Sequence, residues 1–187
     1  MTELKPLTPT FPLPVLLSRD QIHNRVQELA AAITKDAAGE PLLLLGVLKG
    51  SIIFLADLAR ALPVECSFDF LAAASYGRSI HSSGSVHLKK DTDADIADRH
   101  VVVVEDVLDT GITLNNICRH LQLRHPRSLR IATLLDKPSR RREPIRADYV
   151  GFTIPDKFVV GYGLDYAERF RNLPDICVLD PVPSSSI

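Results

Sequence analysis

An α/β fold with a mostly parallel central sheet flanked by helices is what this 187-residue sequence predicts. Two observations carry the prediction. Short apolar runs at 42–45, 101–104 and 129–135 alternate with stretches of helical periodicity, the pattern of strand–helix–strand units. Two small-residue turns, 46–51 and 105–113, each follow an apolar run and precede a helix. In a parallel sheet such turns share the carboxyl edge, where ligands bind.

The elements follow in order. Residues 1–14 carry Pro6, Pro9, Pro12 and Pro14 and read as an extended arm, because proline denies the chain helix and inner strand. Ser18 followed by Gln21 is a capping-box pair. Ile22, Val26, Leu29 and Ile33 then recur at helical spacing up to about Gly39. Leu42–Leu45 is a strand buried on both faces, and 51–62 is helical. Residues 64–72 alternate, with Val64, Cys66, Phe68 and Phe70 facing in and Glu65, Ser67 and Asp69 facing out. Residues 76–97 are rich in Ser, Gly and charge and read as a loop or hairpin, with 85–88 as a short strand. Val101–Val104 is a central strand, 105–112 an acidic turn and 113–123 a helix. Strands follow at 129–135, 149–152, 158–161 and 176–179. The length suits a single domain spanning 1–187.

Composition narrows the function classes. There are 22 basic and 23 acidic residues, a net charge of −1, so no overall field points to nucleic acid. No apolar run approaches the ~18 residues of a membrane span, and the first residues lack the pattern of a signal peptide. Cys66, Cys118 and Cys177 are odd in number and widely spaced, fitting neither a disulfide framework nor a zinc site. A reducing cytoplasm is the expected location.

The stretch VVVVEDVLDTGITL at 101–114 drives valines into Glu105, Asp106 and Asp109 and then into Thr110, Gly111, Ile112 and Thr113. A small-residue turn at a helix N-terminus presents amides to an anion. The carboxylates suit a different part of the same ligand, namely hydroxyls or a metal. The bland alternative is an N-cap Asp109 with two exposed acids. The stretch resembles the phosphoribosyl pyrophosphate motif of type I phosphoribosyltransferases. GVLKGS at 46–51 is similar to their pyrophosphate loop, KFVVGYGLDY at 157–166 to their base-binding segment, and Arg171 in FRNLP to their leaving-group arginine. LLDKPSRRR and GYGLDYAERFRNLPDI are more like bacterial members than animal ones, and the resemblance spans roughly 12–181.

Several expectations follow from the resemblance to the hypoxanthine(-guanine) branch of this family. It implies the type I fold with a small hood built from terminal segments. Asp109 through Thr113 would hold the 5′-phosphate and Asp109 would also act as the catalytic base. Glu105 and Asp106 would bind ribose. Leu48, Lys49 and Gly50, with a cis Leu48–Lys49 peptide, and Arg171 would bind pyrophosphate. Ser75, Tyr76 and Gly77 would open a flexible loop over 76–90. Lys137 would read the 6-oxo group, since an ammonium only donates. Phe158 would stack on the base, Val159 would offer its backbone, and Asp165 would complete the site. Glu105, Asp106 and Asp165 would serve a magnesium ion. The partners would be phosphoribosyl pyrophosphate and a 6-oxopurine, in a homodimer or homotetramer that binds neither nucleic acid nor membrane. Read without the resemblance, Lys49 is also a solvated turn lysine, Phe158 a core residue and 75–77 a surface loop. Arg140, Arg141 and Arg142 read as a solvated basic face. Two other functions stay open: a regulator of the same fold that binds nucleotide as a signal, and the same chemistry on xanthine.

Overall fold

A computed structural model describes residues 13–73 and 88–179. Most of the Pro-rich arm, Ser75, Tyr76 and Gly77 with nearly all of the 76–90 loop, and the 183–187 tail lie outside the described residues. Six strands form the main sheet in the order β4-β3-β2-β5-β6-β7: β2 (Leu42–Val47), β3 (Cys66–Ala73), β4 (Leu88–Lys90), β5 (His100–Leu108), β6 (Ser128–Asp136) and β7 (Tyr149–Thr153). Every pair is parallel except β3 with β4. A second sheet joins the two ends of the described chain, in the order β1 (Val15–Leu17), β9 (Ile176–Val178) and β8 (Val159–Val160). This is the expected hood.

The local signals explain the helices. Ser18 caps α1 (Arg19–Ala37) in a complete capping box with Gln21, and Ile22, Val26, Leu29 and Ile33 are buried. The helix ends two residues before the expected glycine, with the C-cap Ala38 in the left-handed region at φ 51°. Helices α2 (Ile52–Ala61) and α3 (Ile112–Gln122) follow the two special turns.

Strand alternation builds two cores. Leu42, Leu44, Val102 and Val104 pack with α1 and α2. Leu43, Leu45, Val101 and Val103 pack with Leu114, Ile117 and Leu121 of α3. Each such side chain contributes about 1.5–3 kcal/mol by leaving water. The result is a rigid central pair, β2 and β5, whose carboxyl ends carry both turns.

Two expectations need correcting. The valine strand does not stop at Val104. Its parallel pairing with β6 continues through Glu105 opposite Thr133 to Leu108 opposite Asp136, so both acids sit on a strand and the turn starts at Asp109. Phe68 is 58% exposed, although Cys66 and Phe70 on the same face of β3 pack against the core that holds α2.

Candidate active site

The turn at 109–113 has the shape of an anion cradle. Gly111 stands at φ 80° and is itself the N-cap of α3, so it supplies no capping side chain; the Ile112 N–H donates to Thr110 Oγ1 at a long 3.4 Å. The bland N-cap role for Asp109 is therefore not what the fold uses. A Cβ on Gly111 would meet Ile145 Cγ2 at 2.5 Å, so glycine is needed for space as well as for φ.

The turn is pinned from behind by the segment after β6. Arg142 and Glu143 N–H groups donate to Thr110 O at 2.9 and 3.2 Å. Arg141 Nη1 donates to Asp109 O at 2.7 Å, and its other terminal nitrogen pairs with Asp136. Asn115 Nδ2 donates to Glu143 Oε2 at 2.9 Å. Arg140 and Arg142 are exposed as expected, but Arg141 is not part of a solvated face. Arg141 is largely enclosed, because its donors satisfy a turn carbonyl and a strand-end carboxylate together.

Glu105 and Asp106 are held in low dielectric. Burial raises the Glu105 carboxyl well above its ordinary range, and the neighbouring charge of Asp106 and its hydrogen bond add to this. Asp106 is also raised by burial, against the pull of the Val107 N–H, the Glu105 hydrogen bond and the Arg171 charge. Glu105 Oε2 is buried with no hydrogen-bond partner among the described residues. A Cβ on Gly50 would lie 1.6 Å from Asp106 Oδ2, so the backbone of the turn at 48–50 rests directly on that carboxylate. The Leu48–Lys49 peptide is cis, as expected.

Lys49 and Arg171 converge through an acid. Lys49 Nζ lies 3.1 Å from Glu168 Oε1, and Arg171 Nη2 lies 3.3 Å from Glu168 Oε2 and 2.9 Å from Asp165 Oδ1. Arg171 Nη1 also donates to Gly163 O at 2.8 Å. The Lys49 hydrogen bond, then that of Arg171, holds the Glu168 carboxyl below its usual value. Sequence reasoning missed Glu168; its spacing of three from Arg171 was the only cue.

The remaining residues line one cleft of about 420 Å³. Its walls include Asp106, Asp109, Lys137, Phe158, Val159 and Asp165, a volume suited to a small-molecule ligand. Glu105 is not in that wall; it lies toward Cys118 of α3, whose thiol is pushed up to about 12 by burial first and by the Glu105 charge second. Lys137 is buried, with Nζ donating to Lys157 O at 2.7 Å, which leaves further donors on the ammonium. Phe158 is 42% exposed and meets Tyr166 edge-on at 5.8 Å, which leaves its face available for stacking. Val159 pairs with Val178, while Leu179 N–H donates to Phe158 O at 2.9 Å. That bond makes Val159 and Val178 a non-hydrogen-bonded pair, so the N–H and C=O of Val159 turn away from β9.

Among the described residues, no group of three or more His, Cys, Asp or Glu side chains is placed to hold a metal unaided. The structure thus does not bring Glu105, Asp106 and Asp165 into one metal cluster. What it does offer, the Asp106 and Asp165 carboxylates in one cleft wall, fits a hard cation that takes its remaining oxygens from substrate and water.

This arrangement belongs to a known class. A phosphoribosyl transferase domain model matches residues 18–167, and the chain belongs to that family. Within it, the chain is similar to a hypoxanthine-guanine phosphoribosyltransferase of Mycobacterium avium, 53% identical over 89% of this chain and 85% of the relative. It is similar also to the protein of that name from Bacillus subtilis, 47% identical over 89% and 93%. The crystal structure of a hypoxanthine-guanine phosphoribosyltransferase from Bacillus anthracis superposes with a TM-score of 0.86 at 44% identity, covering 90% of this chain and 99% of that one. A hypoxanthine phosphoribosyltransferase from Staphylococcus aureus gives 0.87 at 48%, covering 92% and 94%. The α/β expectation and the family resemblance both hold. No described helix is long and apolar enough to cross a membrane.

Proposed function

We propose that this chain transfers the phosphoribosyl group of phosphoribosyl pyrophosphate to hypoxanthine or guanine, giving the nucleoside 5′-monophosphate and pyrophosphate. The observation that carries the reading is the single cleft in which Asp106, Asp109, Lys137, Phe158, Val159 and Asp165 face one another. Its neighbours are the N-terminus of α3 and a pair of cations.

Each residue then has a task. The amides of Thr110–Thr113 hold the 5′-phosphate. Asp106, with Glu105 behind it, takes the ribose hydroxyls. Lys137 donates to a 6-oxo group and would meet a 6-amino group donor to donor. Phe158 stacks on the ring and Val159 bonds its edge. As the C1′–oxygen bond breaks, pyrophosphate leaves with the electron pair, and Lys49 and Arg171 balance its charge. A ring nitrogen bonds C1′ as Asp109 accepts a proton from the purine. Magnesium held by Asp106 or Asp165 together with substrate oxygens would template the substrate and screen its charge. Assembly as a dimer or tetramer is part of the same proposal, and light scattering of the eluted protein tests it.

The direct test gives purified protein magnesium and phosphoribosyl pyrophosphate with hypoxanthine, guanine, xanthine or adenine in parallel. Product is expected from hypoxanthine or guanine and not from adenine. Preference for adenine would remove the role given to Lys137, and no product from any base would favour a regulator of the same fold.

A further inference from the structure

Arg140 stands where a solvated residue was expected, yet it bridges two walls of the cleft. Its Nε lies 2.7 Å from Asp109 Oδ1 and its Nη1 lies 3.3 Å from Asp156 Oδ2. The short 3-10 turn Pro138–Arg140 places it one turn after Lys137, and the Arg140 N–H donates to Lys137 O at 3.1 Å. One turn therefore grips the 156–157 segment twice, through Lys137 Nζ on Lys157 O at 2.7 Å and through Arg140 on Asp156. Asp109 Oδ1 is buried beneath this contact, and no hydrogen bond among the described residues is aligned on it. The carboxylate is thus held by charge at one oxygen, while the side chain as a whole stays 36% exposed.

We propose that Arg140 is a positioning residue for Asp109: braced by Asp156, its guanidinium covers Oδ1 and turns the rest of the carboxylate toward the purine. The proposal rests on the reading of Asp109 as the proton acceptor. Stability does not account for the contact. Ion pairs this exposed contribute little, about 0–1 kcal/mol. Orientation does, because a proton acceptor works only within hydrogen-bond reach of its donor, and a displacement of about 1 Å can cost up to 100-fold in rate. The backbone of the turn is fixed independently by Arg141, Arg142 and Glu143, so Arg140 acts on the side chain of Asp109 alone.

The test is a double-mutant cycle in steady state with saturating hypoxanthine. Arg140→Gln is expected to lower kcat by about tenfold while the KM for phosphoribosyl pyrophosphate stays within about twofold, and Arg140→Lys to recover part of the loss. In an Asp109→Asn background, Arg140→Gln should cost less than about twofold, because the group it orients is gone. An equal fractional loss in both backgrounds would overturn the proposal. So would a loss seen only as a raised KM, which would make Arg140 a substrate-binding cation. If Asp109→Asn itself turns over normally, the reading of Asp109 falls and the proposal falls with it. Should Arg140→Gln unfold, Asp156→Asn removes only the brace. It is expected to lower kcat about threefold in the native background and to leave Asp109→Asn unchanged.

Discussion

The two anion corners of this cleft are built in opposite ways. At Asp109–Thr113 the donors are backbone amides at the start of α3, with only the Thr110 hydroxyl on one of them, at 3.4 Å from the Ile112 N–H. The turn around them is fixed by Arg141, Arg142 and Glu143. At Lys49 and Arg171 the donors are side chains, and an internal carboxylate, Glu168, already bridges them. An amide cradle is preorganised and stays ready for its anion. A cation pair neutralised from within must exchange one anion for another. The difference suits a substrate whose phosphate stays bound through the reaction and whose pyrophosphate departs. Under the proposed function, the fixed corner would take the part that is kept, and the exchangeable corner the part that is released.

The largest expected effect tests the chemistry at the fixed corner. Asp109→Asn keeps the shape of the side chain and removes the proton acceptor. We expect kcat to fall by about 100-fold or more, the usual worth of a positioned general base. The KM for phosphoribosyl pyrophosphate should change little, because the amides of the turn are intact. Normal turnover would leave the turn as a phosphate clamp only. Next comes Gly111→Ala. The new Cβ meets Ile145 at 2.5 Å, and alanine must adopt φ 80°, a strain of roughly 1–3 kcal/mol. A rise of about tenfold or more in the KM for phosphoribosyl pyrophosphate is expected, with the KM for hypoxanthine nearly unchanged. If the two KM values moved together, the turn would not be a separate corner.

The donors of both corners were legible in sequence, and what holds each corner was not. The capping box at Ser18, the runs 42–45 and 101–104 and the turn at 109–113 are local patterns, and periodicity and turn chemistry report local patterns well. The strand beyond Val104 was hidden because Glu105 and Asp106 look like turn residues. Only pairing with β6 keeps them extended. Arg141 reaches Asp109 across 32 residues and Lys49 reaches Glu168 across 119, separations that no spacing rule encodes. Arg140 and Arg141 look alike on paper, but the fold sends one to the carboxylates of Asp109 and Asp156 and the other to Asp136 and the Asp109 carbonyl.

Between the corners lies Glu105, where charge is buried without full compensation. Its carboxyl is raised above the ordinary value by burial and by Asp106, so the folded state holds its proton more tightly than the unfolded chain does. Below about pH 4 both states are protonated and the group has no effect on stability. Above that it becomes a growing burden on the fold, up to the raised folded value. Glu105→Gln should therefore melt at about the native temperature near pH 4 and about 2–4 °C higher near pH 8 in the absence of substrate, a gain on the order of 1 kcal/mol. A variant that melts lower at every pH would mean that the carboxylate is compensated in the empty protein.

The smallest effect is the most direct probe of exchange. Glu168 is two-thirds exposed, so its bridge to Lys49 and Arg171 is screened by water and adds little stability. What it does is occupy both cations. Glu168→Gln removes the competing charge and keeps the size of the side chain, so pyrophosphate no longer has to displace an anion. We expect product inhibition by pyrophosphate to tighten by about threefold, equivalent to about 0.7 kcal/mol, with a smaller fall in the KM for phosphoribosyl pyrophosphate. If pyrophosphate release limits turnover, both proteins show a burst of nucleotide on pre-steady-state mixing, and in the variant the linear phase after the burst slows in step with the tighter binding. Added salt weakens the screened bridge in the native protein, so the gap between the two proteins narrows as ionic strength rises. A Glu168→Gln protein with native pyrophosphate inhibition at low salt would mean that Lys49 and Arg171 are not exchanging anions, and the contrast between the corners would reduce to geometry.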